Sequence, residues 1–308
     1  MKISIVAPVY NEENGIAEFC KEVLAVMGKV VDCDFELLLV NDGSGDGSLE
    51  RIKQQAESDP HIRYLSFTRN FGHQAALRAG LANATGDAVI SMDSDLQHPP
   101  RLLPDMIRKW QEGYDIVYTI RKSGRETGIL KRLSSKGFYF VLNRLSGLNL
   151  EEGAADFRLL DAKVVEIIRA LPEPNLFLRG FIQWSGFRVH SFEYTPDARF
   201  AGSSKYSLHK MISLALHGIT QFSVKPLRLA NILGFLSALS GMIYGFFAVW
   251  QHAVNRATVS GWTSVIVCIL IMGGMQLLIL GIIGEYLGRA FIQAKHRPDY
   301  IIKEMSRS

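Results

Sequence analysis

The stretch Ala88-Val89-Ile90-Ser91-Met92-Asp93-Ser94-Asp95-Leu96-Gln97-His98-Pro99-Pro100 runs from a short apolar segment straight into two carboxylates one residue apart. Ala88–Ser91, preceded by Gly86-Asp87, has the length and composition of a buried strand. Asp93 and Asp95 at its end repel each other unless a cation lies between them. An all-oxygen donor set points to a hard divalent ion, Mg²⁺ or Mn²⁺, which keeps few protein ligands and takes phosphate oxygens for the rest. The same residues also suit an acidic helix N-terminus, with Pro99-Pro100 opening a helix at Arg101.

Working outward, the same unit recurs. Ser4–Val9, Phe35–Val40, Ile62–Phe67 and Asp115–Ile120 read as further strands. Ile16–Met27, a segment running through Glu57, Gln74–Ala84 and Arg101–Gln111 read as helices between them. Such alternation with short loops predicts an α/β fold, a mainly parallel sheet with helices on both faces. Ligands of these sheets bind beyond the carboxyl ends of the strands. Polar clusters fall at those ends: Tyr10 and Glu12, Asp42, Arg69 and Asn70, Asp93 and Asp95. Asn41–Ser48 is glycine-rich but lacks the Gly-Lys-Ser/Thr ending of a Walker loop, and no Gly-x-Gly-x-x-Gly fingerprint occurs. An ATPase and a dehydrogenase are therefore disfavoured. Cys20, Cys33 and Cys268 show no paired spacing, which argues against a disulfide or zinc framework. No nucleic-acid motif is present.

The apolar residues are unevenly spread. Leu229–Trp250 and Thr263–Gly284 carry no charged side chain. As helices, each reaches about 33 Å, enough to cross a hydrocarbon core; a pair of buried core helices is the alternative. Met1–Val6 is too short an apolar run for a cleavable signal. Lys205, Lys210, Lys225 and Arg228 precede the first run and Arg289, Lys295, Arg297 and Lys303 follow the second, whereas the connection has only Arg256. The positive-inside rule then predicts both termini in the cytoplasm. Leu208, Met211, Ile212, Ala215, Leu216, Ile219 and Phe222 form one apolar helical face, suited to an interfacial helix or to a buried one. Ser237/Gly241/Gly245 and Gly284/Gly288 have small-xxx-small spacing, which fits close packing within a chain or in a homo-oligomer.

Pro8-Val9-Tyr10-Asn11-Glu12-Glu13, Val40-Asn41-Asp42-Gly43-Ser44, Arg69-Asn70-Phe71-Gly72-His73 and Asp93–Pro100 occur in this order. As a set they resemble the inverting glycosyltransferases of family two, with the GT-A fold. The Asp-x-Asp-Leu-Gln-His-Pro-Pro variant resembles the polyprenyl-phosphate branch, which includes dolichyl-phosphate mannose synthase and bactoprenol glucosyltransferase. The two-helix C-terminal hairpin is most similar to the bacterial bactoprenol glucosyltransferases. The expected organisation is a GT-A domain over residues 1–205 and an interfacial amphipathic region over 206–227. A transmembrane hairpin over 228–288 and a cytoplasmic tail over 289–308 follow.

The resemblance implies roles for residues. Pro8, Tyr10, Glu12, Asp42 and Asp93 match nucleotide-binding positions; for Glu12 alone, an acidic first helical turn is the plain alternative. Asp93, Asp95 and Gln97 match the metal-binding set, with Mg²⁺ or Mn²⁺ as cofactor. His98 reads better as a cap on the loop than as a ligand, because a hard ion prefers oxygen. Asp156 matches the catalytic aspartate, with Glu152 a nearby second carboxylate, and Arg121 is expected to be catalytic beside it. Arg121, Lys131, Arg132 and Ser135 match the acceptor-phosphate positions; a basic surface facing the membrane is the alternative for the lysines. Arg199, Ser204 and Lys205 match a loop that closes over the diphosphate.

The implied activity is transfer of a sugar, glucose from UDP-glucose, to undecaprenyl phosphate on the cytoplasmic face of a bacterial inner membrane. A lipid monophosphate is already largely a dianion at neutral pH, so Asp156 is expected to orient the acceptor or a basic partner more than to act as a base. The alternatives are the same reaction with mannose or an aminoarabinose derivative, and a silent nucleotide-sugar-binding scaffold. A processive polysaccharide synthase is disfavoured, since Gln183-Trp184 only echoes its Gln-x-x-Arg-Trp motif.

Overall fold

The computed structural model describes residues 1–122, 137, 142–147, 151, 153–173, 178–195, 219–220, 223–255 and 261–306. The described parts of Met1–Asn143, Leu148–Met211 and Pro298–Ser308 form one compact unit, and those of Arg144–Gly147 and Ile212–Arg297 a second.

The first unit is built on an eight-stranded sheet. Its strands are β1 (Lys2–Val9), β2 (Asp34–Asn41), β3 (Ile62–Phe67), β4 (Ala88–Ser91), β5 (Ile116–Arg121), β6 (Ala154–Asp161), β7 (Val189–Tyr194) and β8 (Ile302–Met305), in the spatial order β7-β5-β6-β4-β1-β2-β3-β8. The helices are α1 (Ile16–Met27), α2 (Ser48–Ser58), α3 (His73–Asn83), α4 (Leu103–Gln111, after one 3₁₀ turn at Pro100–Leu102), α5 (Ala162–Ala170) and α6 (Leu178–Ser185). β1 pairs parallel with β2 and β4, β2 with β3, and β5 with β7. The mainly parallel α/β expectation is confirmed.

Central parallel strands covered on both faces read as continuous apolar runs. Leu37, Leu38, Leu39 and Val40 are accordingly all fully buried. Leu37 and Leu39 join Phe19 and Val23 of α1 and Met106 of α4 on one face. Leu38 and Val40 join Ala76 and Leu77 of α3 and Val164 and Ile168 of α5 on the other. Burial of each such leucine or valine contributes about 1.5–3 kcal/mol.

Two strands run the other way. β6 lies antiparallel between β4 and β5, with Ser91 opposite Arg158 and Ile120 opposite Ala154. This register has a consequence for the site. The start of β6, with Asp156, lies at the same sheet edge as the end of β4 with Asp93 and the end of β5 with Arg121. Gly153 makes the entry to β6 possible. Its φ is +85°, and a Cβ there would sit 2.7 Å from the Arg121 carbonyl oxygen.

β8 pairs antiparallel with β3 at the other edge. The terminal segment is therefore not a free tail after residue 289. Tyr300 stacks on Phe67 with ring centroids 5.1 Å apart, and Asp299 pairs with Arg78 at 2.7 Å.

The second unit holds α7 (Lys225–Asn255) and α8 (Trp262–Ala294), both longer than the charge-free runs suggested. Their most apolar windows have mean hydropathies of 1.9 and 2.4, and none of those windows is buried within the chain. Phe235, Phe246, Leu277 and Leu287 stand exposed around them. A helix apolar all round is buried in a large core or in a membrane. Among the described residues nothing covers these windows, which is consistent with a transmembrane hairpin. A Cβ added at Gly241, Gly245, Gly284 or Gly288 would meet nothing, so the small-residue rows are not used to pack α7 on α8. Residues 206–218 of the expected amphipathic helix lie outside the described residues.

Candidate active site

The loop after β4 is held from three sides. Ser94 Oγ donates to the Pro8 carbonyl at 3.0 Å, tying the loop to the end of β1. The backbone N–H of Gln97 donates to Asp95 Oδ1 at 3.0 Å, and the N–H of Asp93 donates to His98 Nδ1 at 2.9 Å. Leu96 takes a left-handed φ of +60° to make the turn, a conformation a bulky residue adopts only under constraint. His98 is buried and stacks on Phe157, with centroids 5.2 Å apart. Burial holds its pKa below the ordinary histidine value, against the pull of Asp93 and Asp95. Its Nδ1 accepts a backbone proton, so it caps the loop, as the preference of a hard ion for oxygen suggested.

Among the described residues, no group of three His, Cys, Asp or Glu side chains closes around a cation position. What the loop offers is two carboxylates and the Gln97 amide oxygen. That all-oxygen set is incomplete by itself, as suits an ion that takes diphosphate oxygens for its remaining ligands. The Gln97 oxygen also accepts from Arg121 Nη1 at 3.3 Å. The structure thus brings together an expected metal-site residue and an expected acceptor-site residue.

Asp156 is the most heavily paired group of the site. Its Oδ1 accepts from Arg158 Nη2 and, at 3.3 Å, from Arg179 Nε. Its Oδ2 accepts from Arg179 Nη2 at 3.1 Å and lies 3.6 Å from His73 Nε2. His73 Nε2 is also 3.6 Å from Asp93 Oδ1, so one imidazole bridges the two aspartates. Burial alone would raise the Asp156 pKa. The charges of Arg179 and Arg158 and the His73 hydrogen bond overcome this and hold it well below the usual carboxylate range. For His73, burial pulls the pKa down, but the Asp156 hydrogen bond and the charges of Asp93 and Asp156 raise it overall. His73 keeps 42% of its side-chain surface open to solvent, which is compatible with a cleft wall. Tyr194, opposite Arg121 on β7, has its phenol pushed up to about 12, first by burial; it feels Arg121, Asp93, Asp95 and Arg179 together.

After β1, where a nucleotide was expected, Tyr10 is half exposed and Glu12 partly buried. The Glu12 N–H donates to Ser48 Oγ at 2.9 Å, joining the β1 loop to α2. Asp42 is only 2% exposed, and its oxygens accept the N–H groups of Phe71 at 2.7 Å and Gly72 at 3.0 Å. In this geometry Asp42 holds the β3–α3 loop. Gly43 permits that approach: its φ is +61°, and a Cβ would lie 2.2 Å from the Arg69 backbone. Arg199, Ser204, Lys205, Lys131, Arg132, Ser135 and Glu152 lie outside the described residues.

Sequence reasoning assigned no role to His73, Arg158 or Arg179. His73 ends a quoted motif and Arg158 follows Asp156 by two residues, which was signal of a kind. Arg179 gives none, because α6 reaches the site only through the sheet order.

Residues 4–168 match glycosyl transferase family 2, and residues 225–290 match the GtrB C-terminal hairpin. The chain belongs to glycosyl transferase family 2 and carries that hairpin. It is 44% identical over 303 residues to the bactoprenol glucosyl transferase of Shigella phage SfV, covering 98% of each chain. It is 42% identical to the prophage bactoprenol glucosyl transferase homolog of Escherichia coli over the whole of both chains. Mannosyl-3-phosphoglycerate synthase from Rubrobacter xylanophilus shares the fold, with a TM-score of 0.50, 14% identity and 75% of each chain covered. The architecture is GT-A, with two long apolar helices appended.

Proposed function

We propose that this chain is an inverting, metal-dependent glycosyltransferase that moves glucose from UDP-glucose to undecaprenyl phosphate at the cytoplasmic face of the membrane. The observation that carries the proposal is the meeting of Asp93/Asp95, Gln97–Arg121 and Asp156–Arg179 at one edge of the sheet, in a chain with two unburied apolar helices. The names of its relatives favour glucose and a bactoprenol lipid.

In the proposed reaction a phosphate oxygen of the lipid attacks C1 from the face opposite the diphosphate. The C1–O bond to the diphosphate breaks and UDP leaves with the electron pair. No proton need be removed, because the lipid phosphate is already a dianion above about pH 6. This agrees with an Asp156 whose oxygens are already taken by two guanidinia. A Mg²⁺ or Mn²⁺ held by Asp93, Asp95 and Gln97 would neutralise charge on the leaving diphosphate. Arg121, aimed by Gln97, supplies a fixed positive group beside that centre. Tyr10 offers an apolar face to a nucleobase, and Glu12 a carboxylate to a ribose hydroxyl.

Chain connectivity supports the placement in the membrane. After α8 the chain passes through Lys295–Arg297 directly into the segment that edges the catalytic sheet. On the positive-inside rule, the basic residues before α7 and after α8 favour a cytoplasmic location for both ends of the hairpin. The unpacked glycine rows at Gly241/Gly245 and Gly284/Gly288 leave room for a second copy of the chain.

The experiment is UDP release by the full-length protein in lipid vesicles, with undecaprenyl phosphate and Mg²⁺ or Mn²⁺. Acceptor-dependent release from UDP-glucose is expected. Release only with a mannose or aminoarabinose donor would move the assignment to that sugar. Nucleotide-sugar binding without turnover would make the chain a scaffold.

A further inference from the structure

Tyr194 closes β7 at the sheet edge where the site is built. It is in register with Arg121, which closes β5. Side chains paired across neighbouring strands stand on the same face of a sheet. The Tyr194 and Arg121 side chains therefore leave the sheet side by side, and Arg121 reaches the Gln97 oxygen at 3.3 Å. Two other rings hold the phenol in place. It meets His98 with centroids 6.1 Å apart and planes at 70°, and Phe157 at 6.5 Å and 88°. His98 is the cap of the Asp93–Gln97 loop, so the phenol packs directly against the support of that loop.

The hydroxyl is what this packing leaves unexplained. Tyr194 is 6% exposed, and a tyrosine buried to that degree ordinarily gives its O–H a hydrogen-bond partner. Tyr118 on β5, buried to the same 6%, follows the rule and donates to Glu151 Oε2 at 2.7 Å. The Tyr194 hydroxyl makes no hydrogen bond to any described residue. Its surroundings are not apolar, since it lies within electrostatic reach of Arg121, Asp93 and Asp95. Burial keeps the phenol protonated through neutral pH, so it is a donor. A donor beside a guanidinium and next to carboxylates proposed to hold a divalent ion suits an anionic oxygen, with which it forms a charge-assisted bond.

We propose that the Tyr194 hydroxyl is a ligand-binding group of this active site, donating a hydrogen bond to a phosphate oxygen beside Arg121. Phosphate is the shared chemistry of two sources, the acceptor monophosphate and the donor diphosphate. The inference rests on the glycosyl-transfer reading for those two ligands. It does not depend on which sugar is carried.

The test is a pair of binding titrations on the full-length protein in detergent, one with farnesyl monophosphate and one with UDP plus Mg²⁺. Tyr194→Phe removes the hydroxyl and keeps the ring against His98 and Phe157. It should weaken binding by about tenfold, the scale of one hydrogen bond to a charged group, with an unchanged melting temperature. Loss on the farnesyl phosphate arm assigns the hydroxyl to the acceptor, loss on the UDP arm to the donor, and loss on both places it between the two phosphates. Wild-type affinity on both arms in Tyr194→Phe overturns the proposal. A loss that tracks a fallen melting temperature also overturns it, because the hydroxyl would then serve the fold. So does a loss that saturating Mg²⁺ restores, because the hydroxyl would then act through the loop that His98 caps. Neither probe carries a sugar, so a wrong sugar assignment would change UDP-glucose turnover and leave both titrations as described. A wild type that binds neither probe contradicts the glycosyl-transfer reading itself, and the proposal falls with it.

Discussion

His98 Nδ1 accepts the backbone N–H of Asp93 at 2.9 Å, with the imidazole stacked on Phe157. One histidine thereby sets the conformation of the loop that carries Asp93 and Asp95, the carboxylates proposed to hold the ion, with its Nδ1 committed to the backbone. Such supporting contacts typically change metal affinity by about 10–100-fold. His98→Ala is expected to raise the Mg²⁺ or Mn²⁺ concentration needed for half-maximal turnover by about tenfold, with much of the rate regained at saturating metal. A metal titration of UDP release checks this. A rate loss that no metal concentration restores would mean that His98 acts directly.

Asp156 is held well below the usual carboxylate range by Arg179, Arg158 and His73, so it is ionised throughout the working pH range. The acid limb of the rate profile should then belong to the lipid phosphate, with turnover falling as pH drops below about 6. Asp156→Asn should lower the rate without moving that limb. A shifted or abolished acid limb in the variant would restore the general-base role.

Glu36, at the far end of the sheet, accepts from Ser4 Oγ at 2.5 Å, Thr85 N at 2.7 Å and Arg63 Nη1 at 2.6 Å. Burial opposes ionisation there, but these bonds overcome it and lower its pKa from 4.5 to about 2. A folded-state pKa below the unfolded one stabilises the fold above the unfolded value and loses that contribution as pH falls through the folded value. The contribution is roughly 3 kcal/mol and should vanish between about pH 5 and pH 2. Melting temperatures across that window should fall for the wild type. Glu36→Gln should start lower and show a flatter profile; a parallel decline in both would contradict the assignment.

β1 to β5 were legible because parallel strands buried on both faces are apolar runs, as Leu37-Leu38-Leu39-Val40 illustrates. The Asp93–Gln97 loop was legible as a turn at the end of β4 because its signal is local, two carboxylates and a turn; its role as a site is the proposal. β6 was not, since Asp156 and Arg158 break an apolar pattern and become tolerable only by pairing with each other. Arg179 was invisible because its link to Asp156 is created by the antiparallel insertion of β6. β8 was hidden in a polar stretch, Lys303-Glu304, which becomes a strand only by pairing with the β3 edge.

That edge strand gives a further expectation. Tyr300 stacks on Phe67, which ends β3 just before the loop held by Asp42. Tyr300→Ala should cost about 2 kcal/mol, combining lost area and the aromatic pair. Hydrogen exchange should quicken first along β3. Unchanged protection of β3 would show that β8 adds nothing to that edge.

The central claim is that the carboxylates after β4 serve metal-assisted transfer of glucose to a lipid phosphate. The most direct measurement is acceptor-dependent UDP release from UDP-glucose by the full-length protein in vesicles containing undecaprenyl phosphate, comparing wild type with Asp95→Asn over a Mg²⁺ or Mn²⁺ series. The account predicts a metal-dependent rate for the wild type that falls by about 100-fold or more in the variant, the scale of losing a first ligand to a catalytic ion. An unchanged rate and metal dependence in Asp95→Asn, or UDP-glucose bound by the wild type without any release, would contradict it.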